Sequence, residues 1–203
     1  MMKKVFIATS REVGKKCIAW AAANTPPGFE LVGEISDADI IMSVLYNKVF
    51  SSEFIKNKAC FNFHAGILPE YRGTGFFSWA IINEERKAGI TLHLMDRGLD
   101  TGDIIEIRQF LISEKDTAYS LFLKGQEVIF KMFKDWYIDL LNGKYEAVPQ
   151  KRNEGKLYFK KDLQKVKNLT KFVKAFYFPN KESAFYFNDK NEKIYLNFKQ
   201  EKQ

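Results

Sequence analysis

The chain carries two histidines, and one of them stands where acyl chemistry could be done. His64 follows Asn62 by two positions in Phe61-Asn62-Phe63-His64. Ala65-Gly66-Ile67-Leu68-Pro69-Glu70-Tyr71-Arg72-Gly73 comes directly after. On an extended strand both side chains emerge on one face, because strand side chains alternate with period two. The imidazole can take and return a proton near neutral pH. The amide NH2 beside it can donate to an oxyanion. A second stretch, Gly98-Leu99-Asp100-Thr101-Gly102-Asp103, offers carboxylates in a turn-forming setting. Asp100, Asp103 and Asp96 compete to be the carboxylate that orients His64. His93, between Leu92 and Leu94, reads as a structural or half-buried residue. No His/Cys/Asp cluster has metal-ligand spacing.

The elements that position these residues alternate between strand and helix. Residues 5–8 read as a buried strand, 11–23 as a helix ended by Pro26-Pro27-Gly28, and 31–35 as an alternating strand. Residues 40–44 are short, apolar and bounded by Asp39, as in a central parallel strand. A short helix at 52–56 leads to the strand 59–64. This order argues for an open α/β sheet. No GxGxxG follows the first strand, so the dinucleotide fingerprint is missing. Only 28–39 separates the first helix from the strand at 40.

Beyond the loop after His64, 75–86 reads as a helix, and 90–95 and 104–110 as strands joined through 99–103. Asp116 or Thr117 caps a long helix that runs to Leu141 and stops at Asn142-Gly143. Leu121, Val128, Ile129, Met132, Phe133, Trp136, Leu140 and Leu141 recur at helical spacing, as in a helix packed across a sheet. After Pro149 lysine and asparagine rise and aromatics cluster. The division read here is 1–149 as a catalytic domain and 150–203 as a small C-terminal subdomain. The latter holds a helix with Leu169, Phe172, Val173, Phe176 and Tyr177 on one face, ended by Pro179. A hairpin of 184–187 and 193–198 follows, around Asn188-Asp189-Lys190-Asn191.

With 203 residues, 46% of them hydrophobic and 19 of them Phe, the chain can bury one sizeable core. No apolar run approaches a membrane span. The run at 5–8 gives way at once to Thr9, Ser10 and Arg11, too soon for a secretion signal. Cys17 and Cys60 have neither CxxC nor metal spacing and read as reduced thiols of a cytoplasmic protein. The net charge of +7 fits a Lys-rich solvated surface, or attraction of an anionic substrate such as a nucleotide, a folate tail or an RNA. Charge alone does not choose.

Both motif stretches resemble the folate-dependent formyltransferase family. There a strand ends in Asn-x-His, a Leu-Pro-x-x-Arg-Gly loop follows, and a later Asp-x-Gly loop supplies a third catalytic residue. The match here runs from about Ser43 to Asp103, and Ser43-Val44-Leu45-Tyr46 with Val49-Phe50 is similar to the loop before the catalytic strand. The resemblance implies an α/β, Rossmann-like open sheet of the formyltransferase fold, with the small helix and β-hairpin as a C-terminal appendage. It implies N10-formyltetrahydrofolate as formyl donor. Asn62, His64 and Asp100 are the implied catalytic residues: oxyanion donor, general base or proton shuttle, and the carboxylate that holds the His64 tautomer. The donor's pterin is implied to dock on backbone groups of two loops, here around Lys48 and Phe50 and around Met95 and Leu99. Ser10 and Arg11, just after the first strand, are expected at a substrate phosphate by position alone. Arg72 is expected to pair with a carboxylate of the protein or to contact substrate. Phe76, with Phe77 and Trp79, is expected against the sugar or base, or against the sheet.

Members of the family act on glycinamide ribonucleotide, on initiator methionyl-tRNA and on nucleotide-linked amino sugars. The roughly 50 residues after Pro149 are few for the RNA-binding barrel of the tRNA enzymes. Ala65-Gly66 stands where glycinamide enzymes usually carry Pro-Ser. The segment from Arg72 to Ile81, and Phe178-Pro179 before a Phe/Tyr-rich hairpin, are similar to sugar N-formyltransferases. The expected acceptor is therefore a nucleotide-linked amino sugar, of the 4-amino-4,6-dideoxy, pseudaminic-acid type, for surface glycan. The alternatives are glycinamide ribonucleotide or methionyl-tRNA, or hydrolysis of the donor to formate. Neither a membrane nor a nucleic-acid partner is expected. The aromatic tail either forms a homodimer surface or completes the core.

Overall fold

Short apolar runs become the centre of the fold. In the computed structural model, which describes residues 2–151, 154–159, 162, 169–187 and 192–196, the chain opens with β1 (Lys3–Thr9), α1 (Glu12–Asn24) and β2 (Phe29–Leu31). It continues through β3 (Ile40–Val44), α2 (Ser52–Ile55), β4 (Ala59–His64), β5 (Tyr71–Gly73) and α3 (Phe76–Ile82). Then come β6 (Lys87–Leu94), β7 (Ile104–Leu111), α4 (Ala118–Leu141) and β8 (Lys156–Tyr158). α5 (Leu169–Phe176), β9 (Phe185–Phe187) and β10 (Lys193–Tyr195) complete it. A six-stranded sheet runs in the order β2-β1-β3-β4-β6-β7. Its first four strands are parallel, whereas β6 runs antiparallel to both β4 and β7.

The two sheet faces differ in purpose. Val5, Ile7, Ile40, Met42, Val44, Phe61, Phe63, Ile90 and Leu92 join the large core with residues of α1 and α4. Trp20 meets Phe133 and Tyr137 edge-on, with ring centroids at 6.2 and 5.8 Å. The Tyr137 hydroxyl is buried but paired with Thr25 Oγ1 at 2.7 Å, so no polar atom is stranded there. Each fully buried aromatic or branched side chain in this layer contributes about 1.5–3 kcal/mol. The opposite face carries a smaller cluster, Ala38, Ile41, Ile55 and Cys60. By strand alternation it also carries Asn62 and His64 of β4 and Gly89, Thr91 and His93 of β6.

Several boundaries depart from the local pattern. The strand expected at 31–35 is Phe29–Leu31, and Ile35–Asp37 forms a 3-10 turn. β2 is an edge strand that pairs only with Lys3, Lys4 and Val5, so the chain turns early to start β3 on the other side of β1. The helix expected at 75–86 stops at Ile82, before Glu84, which sits at φ 56. The loop after His64 contains β5, which pairs in parallel with β8 from the segment read as tail. α5 docks on α3, where Ser78 Oγ donates to Ala175 O at 2.7 Å. The hairpin of β9 and β10 is present, while its turn Asn188–Asn191 and Phe198 lie outside the described residues. Among the described residues no helix is long and apolar enough to cross a membrane.

Helix α4 starts on a reciprocal cap. Thr117 Oγ1 accepts from Ser120 N at 3.2 Å, and Ser120 Oγ accepts from Thr117 N at 3.0 Å. Thr117 is 1% exposed, so water cannot replace these bonds. Thr117→Ala should therefore cost about 1 kcal/mol. Urea unfolding should show a lower midpoint at unchanged slope. An unchanged midpoint would mean that the cap contributes nothing.

Candidate active site

β4 delivers two side chains to the site face and sends Phe61 and Phe63 into the core. The antiparallel ladder between β4 and β6 then sets the partners: Asn62 lies opposite His93, and His64 opposite Thr91. The loop from Met95 folds back over this face and brings in Asp100, at φ 55 and 9% exposed. Asp100 Oδ2 lies 3.5 Å from His64 Nδ1 and accepts from Gly73 N at 2.8 Å. Asp100 Oδ1 accepts from Asn62 Nδ2 at 3.3 Å and lies 3.6 Å from His93 Nε2. One carboxylate thus gathers the amide, both histidines and a backbone N–H.

The partners fix the protons. His64 Nε2 lies 2.7 Å from Tyr71 O, which can only accept, so that nitrogen carries the hydrogen. The free lone pair of the neutral ring is then on Nδ1, facing Asp100. His93 Nδ1 donates to Leu94 O at 2.6 Å, and its Nε2 accepts from Asn62 Nδ2 at 3.1 Å. His93 and Asp100 together determine which end of the Asn62 amide is the donor. Burial lowers the His64 pKa below its ordinary 6.5, although Asp100 pulls the other way. Burial alone would raise Asp100, but His64, His93 and the Gly73 N–H outweigh it and hold the carboxyl at about 2. At neutral pH the site therefore contains an ionised carboxylate beside a neutral imidazole, which is the state of a base ready to accept a proton.

Behind His64 the loop 65–70 lies on β6. Thr91 Oγ1 donates to Gly66 O at 2.6 Å and accepts from Leu68 N at 3.2 Å. Gly89 leaves room for Ile67, whose Cγ1 lies 2.9 Å from where a Cβ would stand. Among residues that the sequence reading did not assign to chemistry, His93 enters the site, and Thr91 holds its wall. The available signal was their alternation with Leu92, which places Thr91 and His93 on one face; the facing strand was not readable.

The other expected contacts are spread around this centre. Lys48 is exposed, and Phe50 is half-buried and stacked against Tyr46 and Phe54, with centroids at 5.4 and 5.9 Å. Met95 packs into the same cluster as Phe50 and donates its N–H to Cys60 O at 2.9 Å. Leu99 is 38% exposed. Ser10 Oγ donates to Asn47 Oδ1 at 2.7 Å, pinning the 45–50 loop to the end of β1. Arg11 is exposed at the start of α1. Arg72 Nη2 donates to Gln150 at 3.0 Å, while its Nε is buried without a partner among the described residues. Phe76 is 4% exposed and meets Tyr71 edge-on at 4.8 Å, so its ring belongs to the core of the helical side rather than to an open rim.

Gly66 has no room for a side chain: a Cβ there would come 2.4 Å from His64 Nε2 and 2.7 Å from Tyr71 O. Gly66→Ala should displace the imidazole, lowering turnover by about 10-fold or more. Histidine-selective NMR should show loss of the His64 hydrogen bond to Tyr71. A wild-type His64 signal with full turnover would mean that the loop yields without cost.

Three comparisons bear on this geometry. Residues 19–134 match the formyl transferase family model. A GDP-perosamine N-formyltransferase from Brucella melitensis is 35% identical over 151 residues, 64% of this chain and 58% of that protein. A methionyl-tRNA formyltransferase from Caldanaerobacter subterraneus is 36% identical over 137 residues, 64% of this chain and 42% of its own. The chain spans about half the length of these curated relatives. The fold is similar to that of a sugar N-formyltransferase from Shewanella, with a TM-score of 0.84, 21% identity and 100% of each chain covered. It is also similar to an N-formyltransferase from Helicobacter canadensis solved with folinic acid and dTDP-3-aminofucose, with a TM-score of 0.74, 19% identity, and 88% and 81% of the chains covered. A family match across more than half of the residues, on a fold shared end to end with a formyltransferase, makes this chain a member of the formyl transferase family.

Proposed function

We propose that the protein transfers a formyl group from N10-formyltetrahydrofolate to the amino group of a nucleotide-linked amino sugar. The observation that carries this reading is the convergence of Asn62, His64 and His93 on the buried Asp100 carboxylate. The acceptor nitrogen attacks the formyl carbon, forming a C–N bond while the carbonyl π pair moves onto oxygen. The Asn62 amide donates to that oxygen by exchanging one of its two Nδ2 hydrogen bonds, to His93 or to Asp100, for the new one. The acceptor's proton passes to His64 Nδ1, where Asp100 stabilises the imidazolium. The intermediate collapses, the carbonyl re-forms, and the bond to N10 breaks as the proton held on His64 passes to N10, which returns the imidazole to its neutral form. Exposed Leu99 and Val49 beside half-buried Phe50 and Met95 give the donor's ring system an apolar rim. Ser10, Arg11 and Arg72 are our candidates for the acceptor's phosphates.

The Brucella relative's name and the sugar nucleotide bound to the Helicobacter neighbour support an amino-sugar acceptor. A second reading, formylation of methionyl-tRNA, is favoured by a relative of 36% identity. A cytoplasmic location accords with either. Burial pushes the Cys17 thiol up to about 12 and the Cys60 thiol up to about 11, so neither is poised for oxidation.

The test is to supply N10-formyltetrahydrofolate with nucleotide-linked 3- and 4-amino sugars, glycinamide ribonucleotide or methionyl-tRNA. Release of tetrahydrofolate and the mass of each acceptor are followed. Formylation of one amino sugar is expected; formylation of tRNA alone, or formate without acceptor, would overturn the reading. Asn62→Ala should lower kcat by about 10²–10³-fold, and His64→Ala by about 10²–10⁴-fold, with the fold intact. An effect of Asn62→Ala confined to KM would make it a binding residue only. The active base is neutral, and burial lowers its pKa, so kcat/KM should stay level below pH 6.5 before falling in acid. In Asp100→Asn, which removes the charge favouring imidazolium, any residual acid limb should lie lower still. A limb that moves upward would contradict the assignment.

A further inference from the structure

Residues 148–151 lie beside the Asp100 loop, and 156–158 fasten to β5. Val148 and Ile104 exchange backbone hydrogen bonds of 2.8 Å each. β8 pairs with β5, whose Gly73 N–H holds Asp100. Between these fastenings lies half-buried Gln150. Its Nε2 donates to Asp100 O at 3.1 Å and to Gly102 O at 2.7 Å, and its Oε1 accepts from Arg72 Nη2 at 3.0 Å. A carboxamide can supply both donors and an acceptor from one side-chain end.

The Asp100 loop needs such a fastening. Asp100 sits at φ 55, a left-handed conformation that is uncommon for a residue with a Cβ, although aspartate visits it more readily than most. Gly102 is pressed so closely on the end of β6 that a Cβ there would stand 1.9 Å from Leu94 O. That contact pins the loop on one side. The Gln150 amide takes both carbonyls on the other. With the carbonyls released, the backbone can relax, and the carboxylate turns away from the face of β4.

We propose that Gln150 is a positioning residue, its amide locking the turn that aims the Asp100 carboxylate at His64, His93 and Asn62. The proposal rests on the formyl-transfer reading above. It also gives the stretch after Val148 a part in the site itself.

Two variants separate the bonds. Gln150→Glu keeps an acceptor for Arg72 but has no N–H for the two carbonyls, and Gln150→Leu removes all three bonds at similar volume. Each is measured for kcat and KM with N10-formyltetrahydrofolate and the acceptor that the wild type uses. Each is also titrated by NMR at its histidine side chains, which needs no substrate. Both variants should lose about 10- to 10²-fold in kcat with little change in KM. In both, His64 should titrate lower than in the wild type, because the charge that favours its protonated form has moved away. Wild-type kcat and His64 titration in Gln150→Glu would mean that Gln150 serves Arg72 alone, and would overturn the proposal. Wild-type behaviour of Gln150→Leu would do the same, and loss of the fold in both variants would make the residue structural instead. If the wild type formylates no acceptor, the functional reading fails, while the histidine titration still decides whether Gln150 holds Asp100.

Discussion

A carboxylate nine-tenths shut off from water must be surrounded by donors or give up its charge. Asp100 is such a group, and much of the local architecture follows from it. Gly73 donates its N–H from β5, Asn62 donates its amide from β4, and the two histidines face it from β4 and β6. Bringing a backbone N–H to that point requires Gly73 at φ 96, where a Cβ would also strike Tyr158 O at 2.2 Å. Two loops far apart in sequence are thereby committed to one atom group.

That convergence is possible because the sheet keeps its faces separate. The helix-covered face is filled by apolar side chains and by the aromatic contacts among Trp20, Phe133 and Tyr137. Its packing fixes the strand backbones, so the polar residues on the other face need no contribution to the core in order to stay placed. A preorganised carboxylate needs little reorganisation when charge develops on the imidazole beside it. The neutral His64 and ionised Asp100 are a consequence of the same enclosure: burial disfavours the imidazolium, while the donor shell keeps the carboxylate charged.

Members of the family share this frame at low identity and differ in what they formylate. The loops are where such differences can arise. The 45–50 loop is tied to β1 through Ser10 and Asn47, and its aromatic stack of Tyr46, Phe50 and Phe54 leaves Val49 open to solvent. Phe76 and Phe77, by contrast, are occupied in the core and present no open ring face.

The sequence by itself determined what local periodicity controls. The apolar runs of β1, β3 and β4, and the spacing of α4 with its start at Asp116 or Thr117, could be read directly, because each repeats or terminates within one element; the structure chose Thr117 as the cap. The common face of Asn62 and His64 followed from the two-residue period of a strand. Only the tertiary structure decided which strand lies beside β4, and at what register. That register puts His93 across from Asn62 and turns a residue that reads as structural into a partner of the site. It also decided that Phe76 turns inward, that β5 pairs with β8, and that Gln150 reaches the carbonyls of the Asp100 loop. These are contacts between segments separated by tens of residues, fixed by pairing and packing, and no local pattern of residue types encodes their alignment.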